Sequence, residues 1–149
     1  MMLLVNFHYN DGTLHATGVQ LLNRERSLFT HVTISFWEEA TFNTVSLTDD
    51  GLIFYAGQPP EEKVLTRTVC VDSSQFAKRL QYIAEHNRTW RISWLQLARY
   101  ALGGRRPDVL CTDLPYFIMT GEIGRMTLNE LYQWVSDRST DNQARGLYG

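Results

Sequence analysis

The clearest pattern in the chain is the strict alternation from His31 to Trp37. Val32, Ile34 and Phe36 point one way; His31, Thr33, Ser35 and Trp37 point the other. Period two with β-branched residues predicts a half-buried strand. Leu3–Tyr9, Thr41–Leu47, Leu52–Ala56 and Val64–Val71 read as further strands. Asn10-Asp11-Gly12 supplies a tight turn, after which Thr13–Leu22 is expected to return as a strand. Asn23–Ser27, Glu38-Glu39-Ala40, Asp49-Asp50-Gly51 and Gln58-Pro59-Pro60 punctuate these runs.

The pattern then changes to helical spacing. Asp72 offers an N-cap ahead of Phe76, Leu80, Ile83 and Ala84. Trp94, Leu97, Ala98 and Ala101 predict a second helix closed by Gly103-Gly104, and a third begins near Cys111. Thr127-Leu128-Asn129-Glu130 has capping-box form and leads into Leu131, Tyr132 and Val135. Strands followed by helices predict an α+β fold. One domain is expected over residues 1–138, with a polar, flexible tail over 139–149.

Composition narrows the class. The chain has 149 residues, 44% hydrophobic and 20% charged, as a globular soluble domain would. A net charge of −2 argues against a nucleic-acid partner, which calls for a basic footprint. Two cysteines exclude a disulfide scaffold and a four-cysteine zinc site. No run is long enough for stable membrane insertion. The apolar start, Met1–Val5, lacks a basic segment and is cut short by Asn6, so no signal peptide is expected. The expected location is cytoplasmic or virion-associated.

Candidate chemistry starts at Cys111. Pro115 lies four residues on, inside the apolar stretch Leu114–Met119. Proline is tolerated only in the first helical turn, so a helix there must start at about Leu110–Thr112. Cys111 then sits at a helix N-terminus, where the macrodipole favours a thiolate. The competing reading is a small buried residue. A thiolate nucleophile needs an imidazole. His31 opens a patterned strand on its polar face and is the strongest of the four histidines. Asn43, twelve residues on in the paired strand, offers an amide oxygen to orient that ring. A hairpin centred on Glu39 places Asn43 opposite Ser35, so the contact would be diagonal; Ser35, Glu38 and Ser46 are rivals.

Other residues have plainer expectations. His8, His15 and Asp11 match no strong metal spacing, and His86 reads as a helix-end residue. Cys70, beside Val69 and Val71, is expected in the core, as are Trp37, Trp90, Trp94 and Trp134. Gly103-Gly104-Arg105-Arg106 reads as a helix stop with solvated charges, with an anion site as the alternative.

The order His31, Asn43, Cys111 resembles the circularly permuted NlpC-type papain-like cysteine peptidases and amidases, the group that includes lecithin:retinol acyltransferase. Ser27–Ile34 resembles the loop leading into a His-Val-x-Ile strand. Ile92–Leu95 and the helix to Leu102 resemble the segment before the nucleophile. Cys111-Thr112-Asp113-Leu114 resembles a Cys-Ser-Glu-Leu helix start, and Met126–Leu131 the Thr-Pro-x-x-Leu segment after it. The likeness covers roughly residues 15–135. Asn at the third position and Pro115 inside the nucleophile helix depart from the family pattern.

The resemblance implies a small antiparallel sheet or barrel packed on helices. It implies a cysteine hydrolase cleaving an amide bond, such as one in a cell-wall peptide, with no metal or organic cofactor. Cys111 would attack the carbonyl, His31 relay the proton and Asn43 orient the imidazole, through an acyl-thioester. The alternatives are an acyltransferase, or a non-catalytic binding or structural module on the same fold.

Overall fold

The computed structural model describes residues 1–9, 28–57 and 64–140. The expected Asn10-Asp11-Gly12 turn, the Thr13–Leu22 strand, the Asn23–Ser27 loop (all but its neighbour Leu28), His15 and Gln58-Pro59-Pro60 lie outside those residues. Five strands come first: β1 (Met2–Tyr9), β2 (Phe29–Glu38), β3 (Thr41–Thr48), β4 (Gly51–Ala56) and β5 (Val64–Cys70). Four helices follow: α1 (Ser73–Glu85), α2 (Trp94–Ala101), α3 (Asp113–Thr120) and α4 (Leu128–Arg138). This is the α+β order expected from the sequence. The strands form one antiparallel sheet, ordered β4-β3-β2-β1-β5.

Cross-strand partners share a face, so the register sorts the sheet into two sides. Leu3, Val5 and Phe7 of β1 line up with Ile34 and Val32 of β2, and Val45 of β3 continues the row. These side chains, with Phe36, Leu47 and Val69, meet Leu114 and Ile118 of α3 and Leu128, Leu131 and Val135 of α4 in one core. Each buried aliphatic side chain contributes on the order of 1.5–3 kcal/mol. Phe7, Phe29 and Tyr132 pack ring on ring, with centroids 5.2 Å apart, and lock α4 to the sheet.

The helix ends follow the sequence closely. The Asp72 carboxylate accepts from the Gln75 amide at 2.9 Å, and that bond holds its pKa below the usual carboxylate value. Ser93 caps α2 through the Gln96 amide. Thr127 and Glu130 form the full capping box of α4. Pro115 is the third residue of α3, within the first turn, as its missing amide requires.

Four expectations are corrected. Cys70 is exposed, because its neighbour Val69 takes the core position and alternation turns Cys70 to the other face. Of the tryptophans, Trp90 is buried in the core, whereas Trp37 and Trp94 are exposed. Arg106 is not a solvated charge: it pairs with the buried Asp113 at 3.1 Å, and only Arg105 is left on the surface, beside Asp108. The chain also stays packed past Arg138: Ser139 is buried and Thr140 donates to the Thr68 carbonyl of β5 at 3.2 Å.

Candidate functional site

The β2–β3 turn decides the fate of the proposed triad. Its two central residues are Glu39 and Ala40, closed by the pair Glu38–Thr41, and Glu39 takes a φ of 54°. That loop places Asn43 opposite Phe36 rather than opposite Ser35. A shift of one residue moves every side chain of a strand to the other face. Asn43 therefore lies on the helix side of the sheet, where its amide donates to the Thr41 carbonyl at 3.2 Å. His31 lies on the opposite side, and Asn43 does not orient it.

His31 has another partner. Its Nε2 shares a hydrogen bond of 2.7 Å with the Ser46 hydroxyl, the diagonal neighbour on β3. The His8 ring stands beside it, centroids 5.8 Å apart, and His8 Nε2 meets Thr33 Oγ1 at 2.9 Å. Asn6 donates to Ser35 at 2.8 Å and to Thr33 at 3.2 Å, and accepts from Thr66 at 2.9 Å. Ser35 meets Thr44 at 2.7 Å, and Thr44 donates to the Gly57 carbonyl. The second face of the sheet thus carries a polar ladder, buried at Asn6, Thr33, Ser35, Thr44 and Ser46, with the two half-buried imidazoles side by side at one end. Burial pushes the His31 pKa down to about 4, with the His8 charge adding to the effect; burial lowers His8 as well. Both rings are neutral at pH 7.

Cys111 belongs to the other side of the molecule. It precedes the Thr112 N-cap of α3, as the Pro115 argument requires, and packs against the apolar core. It lines a cleft of about 80 Å³ with Tyr100, Arg106, Arg125 and Met126, and His31 is not part of that lining. The Asp113 carboxylate, 1% exposed, reaches back to the Leu110 amide at 2.8 Å and holds Arg106. A carboxylate thus already occupies the positive end of α3. The sheet stands between this helix layer and the His31 ring. Cys111, His31 and Asn43 are therefore not brought together.

A different feature concentrates at the corner where β4 ends. Trp37, Tyr55 and Phe54 are 62%, 46% and 53% exposed. Trp37 pairs with Phe42 across β2 and β3, ring centroids 5.1 Å apart, and Thr44 places Tyr55 on the same face one row away. Gly57 follows, with no atom of another described residue within 4 Å of where a side chain would start. β4 is an edge of the sheet among the described residues. The Gly57 amide donates inward to the Phe42 carbonyl at 2.7 Å. Ladder bonds alternate in direction, so the backbone groups of Leu52, Phe54 and Ala56 face outward, away from β3.

No family model, curated protein or solved structure matches the chain. Among the described residues no group of three or more His, Cys, Asp or Glu side chains is placed to hold a metal ion. No helix among them is long and apolar enough to cross a membrane. Sequence reasoning named Ser46 only as a rival to Asn43 and passed over Asn6, Thr66 and the Trp37–Tyr55 corner. Two signals pointed there: the hydroxyl-rich polar positions of β2 and β3, and the Ile-Phe-Tyr run in the short, uncharged β4.

Proposed function

We propose that this chain is a non-catalytic binding module that takes up an extended polypeptide by strand addition at β4. The observation that carries the reading is β4, an edge strand among the described residues. It offers outward backbone groups at Leu52, Phe54 and Ala56, flanked on one sheet face by the exposed Tyr55 and on the other by the exposed Phe54. Edge strands are normally blunted by charge, proline or a bulge. β4 reads Gly-Leu-Ile-Phe-Tyr-Ala and has none of these. Strand addition draws affinity from main-chain hydrogen bonds and selectivity from alternate side chains. The amide-hydrolase reading is set aside because it needs a thiolate, an imidazole and an orienting amide within hydrogen-bond reach of one another.

The test is an NMR titration of the isotope-labelled protein with the neutral extended peptide acetyl-(Thr-Gln)4-amide. The expected result is a shift of the Leu52, Phe54 and Ala56 amides, with slowed hydrogen exchange at the same positions. The same peptide methylated on alternate backbone nitrogens is expected to leave them unmoved. Shifts confined to other surfaces, or identical responses to both peptides, overturn the reading.

A further inference from the structure

From the charges around β4, we infer that the segment it takes up is basic, an extended stretch with lysine or arginine at alternate positions. The inference rests on the strand-addition reading and names its ligand class. Residues 28–57 contain β2, β3 and β4, and among them stand Glu38, Glu39, Asp49 and Asp50 without a single lysine or arginine. These carboxylates mark both ends of β3: Glu38 and Glu39 at the turn beside the aromatic corner, Asp49 and Asp50 at the turn into β4. All four residues are exposed, and none forms a salt bridge with another described residue. Arg91, in the stretch just before α2, donates to the Asp49 backbone carbonyl, and the Asp49 carboxylate accepts from the Trp94 indole.

The exposed rings on this face stand at the Glu38–Glu39 end: Trp37 beside Phe42, with Tyr55 one row away. An added strand would set alternate side chains on the face that carries Tyr55 and Phe42. A long aliphatic stem covers such rings, and its cationic head is drawn to their π-faces. The same four carboxylates raise the local concentration of cationic segments and repel acidic ones. A second copy of the chain is a poor occupant: antiparallel pairing of β4 with itself would bring acidic residues of one copy toward those of the other.

The experiment compares acetyl-(Thr-Lys)4-amide, acetyl-(Thr-Gln)4-amide and acetyl-(Thr-Glu)4-amide, read at the Leu52, Phe54 and Ala56 amides. In about 20 mM salt the lysine peptide is expected to bind about tenfold tighter than the glutamine peptide, and high salt should largely erase that advantage. The glutamate peptide is expected to bind weakest. The double variant Glu38→Gln/Glu39→Gln should lose most of the lysine preference while keeping the glutamine affinity. Tyr55→Thr, chosen to keep a β-forming residue, should weaken the lysine peptide by about fivefold through loss of the ring. Equal binding of all three peptides at β4 overturns the basic preference but leaves strand addition standing. No response at β4 to any of them overturns both.

Discussion

Protonating the polar ladder at His31 is expected to destabilise the protein. The free imidazole titrates near 6.5, and the folded ring near 4. Between those values the unfolded chain holds the extra proton, so stability is complete above about pH 6.5 and is lost as the pH falls toward 4. From pH 7.5 to 4.5 this one group removes about 2.5 kcal/mol, a large part of a typical domain's stability. His8, lowered in the same direction, adds to the loss. Carboxylates titrate in the same range, so the wild type must be compared with His31→Gln, whose amide can still meet Ser46. Urea unfolding of both proteins at pH 7.5, 6.5, 5.5 and 4.5 gives the difference directly. The gap between them should move by about 2.5 kcal/mol in the variant's favour as the pH falls. A gap that stays flat, or moves the other way, would show that the folded ring accepts its proton freely, and the buried neutral ladder would be refuted.

Arg106→Met should cost about 3–5 kcal/mol, because it strands the Asp113 carboxylate in the interior; chemical denaturation measures it, and a loss below about 1 kcal/mol would place that pair in solvent. Thr127→Ala should cost about 1 kcal/mol through loss of the α4 capping box, with Thr127→Ser largely restoring it in thermal melts.

Much of the fold was legible because its causes are local. The alternation of Val32, Ile34 and Phe36 announced both β2 and its buried face. Asp72 and Thr127 announced the starts of α1 and α4, and Pro115 located the start of α3 without any help from its neighbours. The triad was not legible, because it depended on register. Alternation within one strand says which residues share a face; it does not say which residue of the next strand joins them. That is settled by the length of a turn, and a two-residue turn at Glu39-Ala40 in place of one centred on Glu39 moved Asn43 across the sheet. The His31–Ser46 contact is the counterpart of the same shift. β1 hid its polar positions for another reason. Asn6 and His8 sit inside a run that reads as apolar, and only pairing with Thr33, Ser35, Thr66 and His31 gives them partners.

The separation of Cys111 from His31 is tested most directly by iodoacetamide labelling of both cysteines across pH 5–9, read by mass spectrometry in the wild type and in His31→Ala. The exposed Cys70 should react faster than the half-buried Cys111, and the Cys111 rate–pH curve should be the same in both proteins. A Cys111 that outruns Cys70 at about pH 6–7, and loses that lead without His31, would mean a working thiolate–imidazole pair. That result would contradict the placement of the two residues on opposite sides of the sheet and return the chain to the cysteine hydrolases.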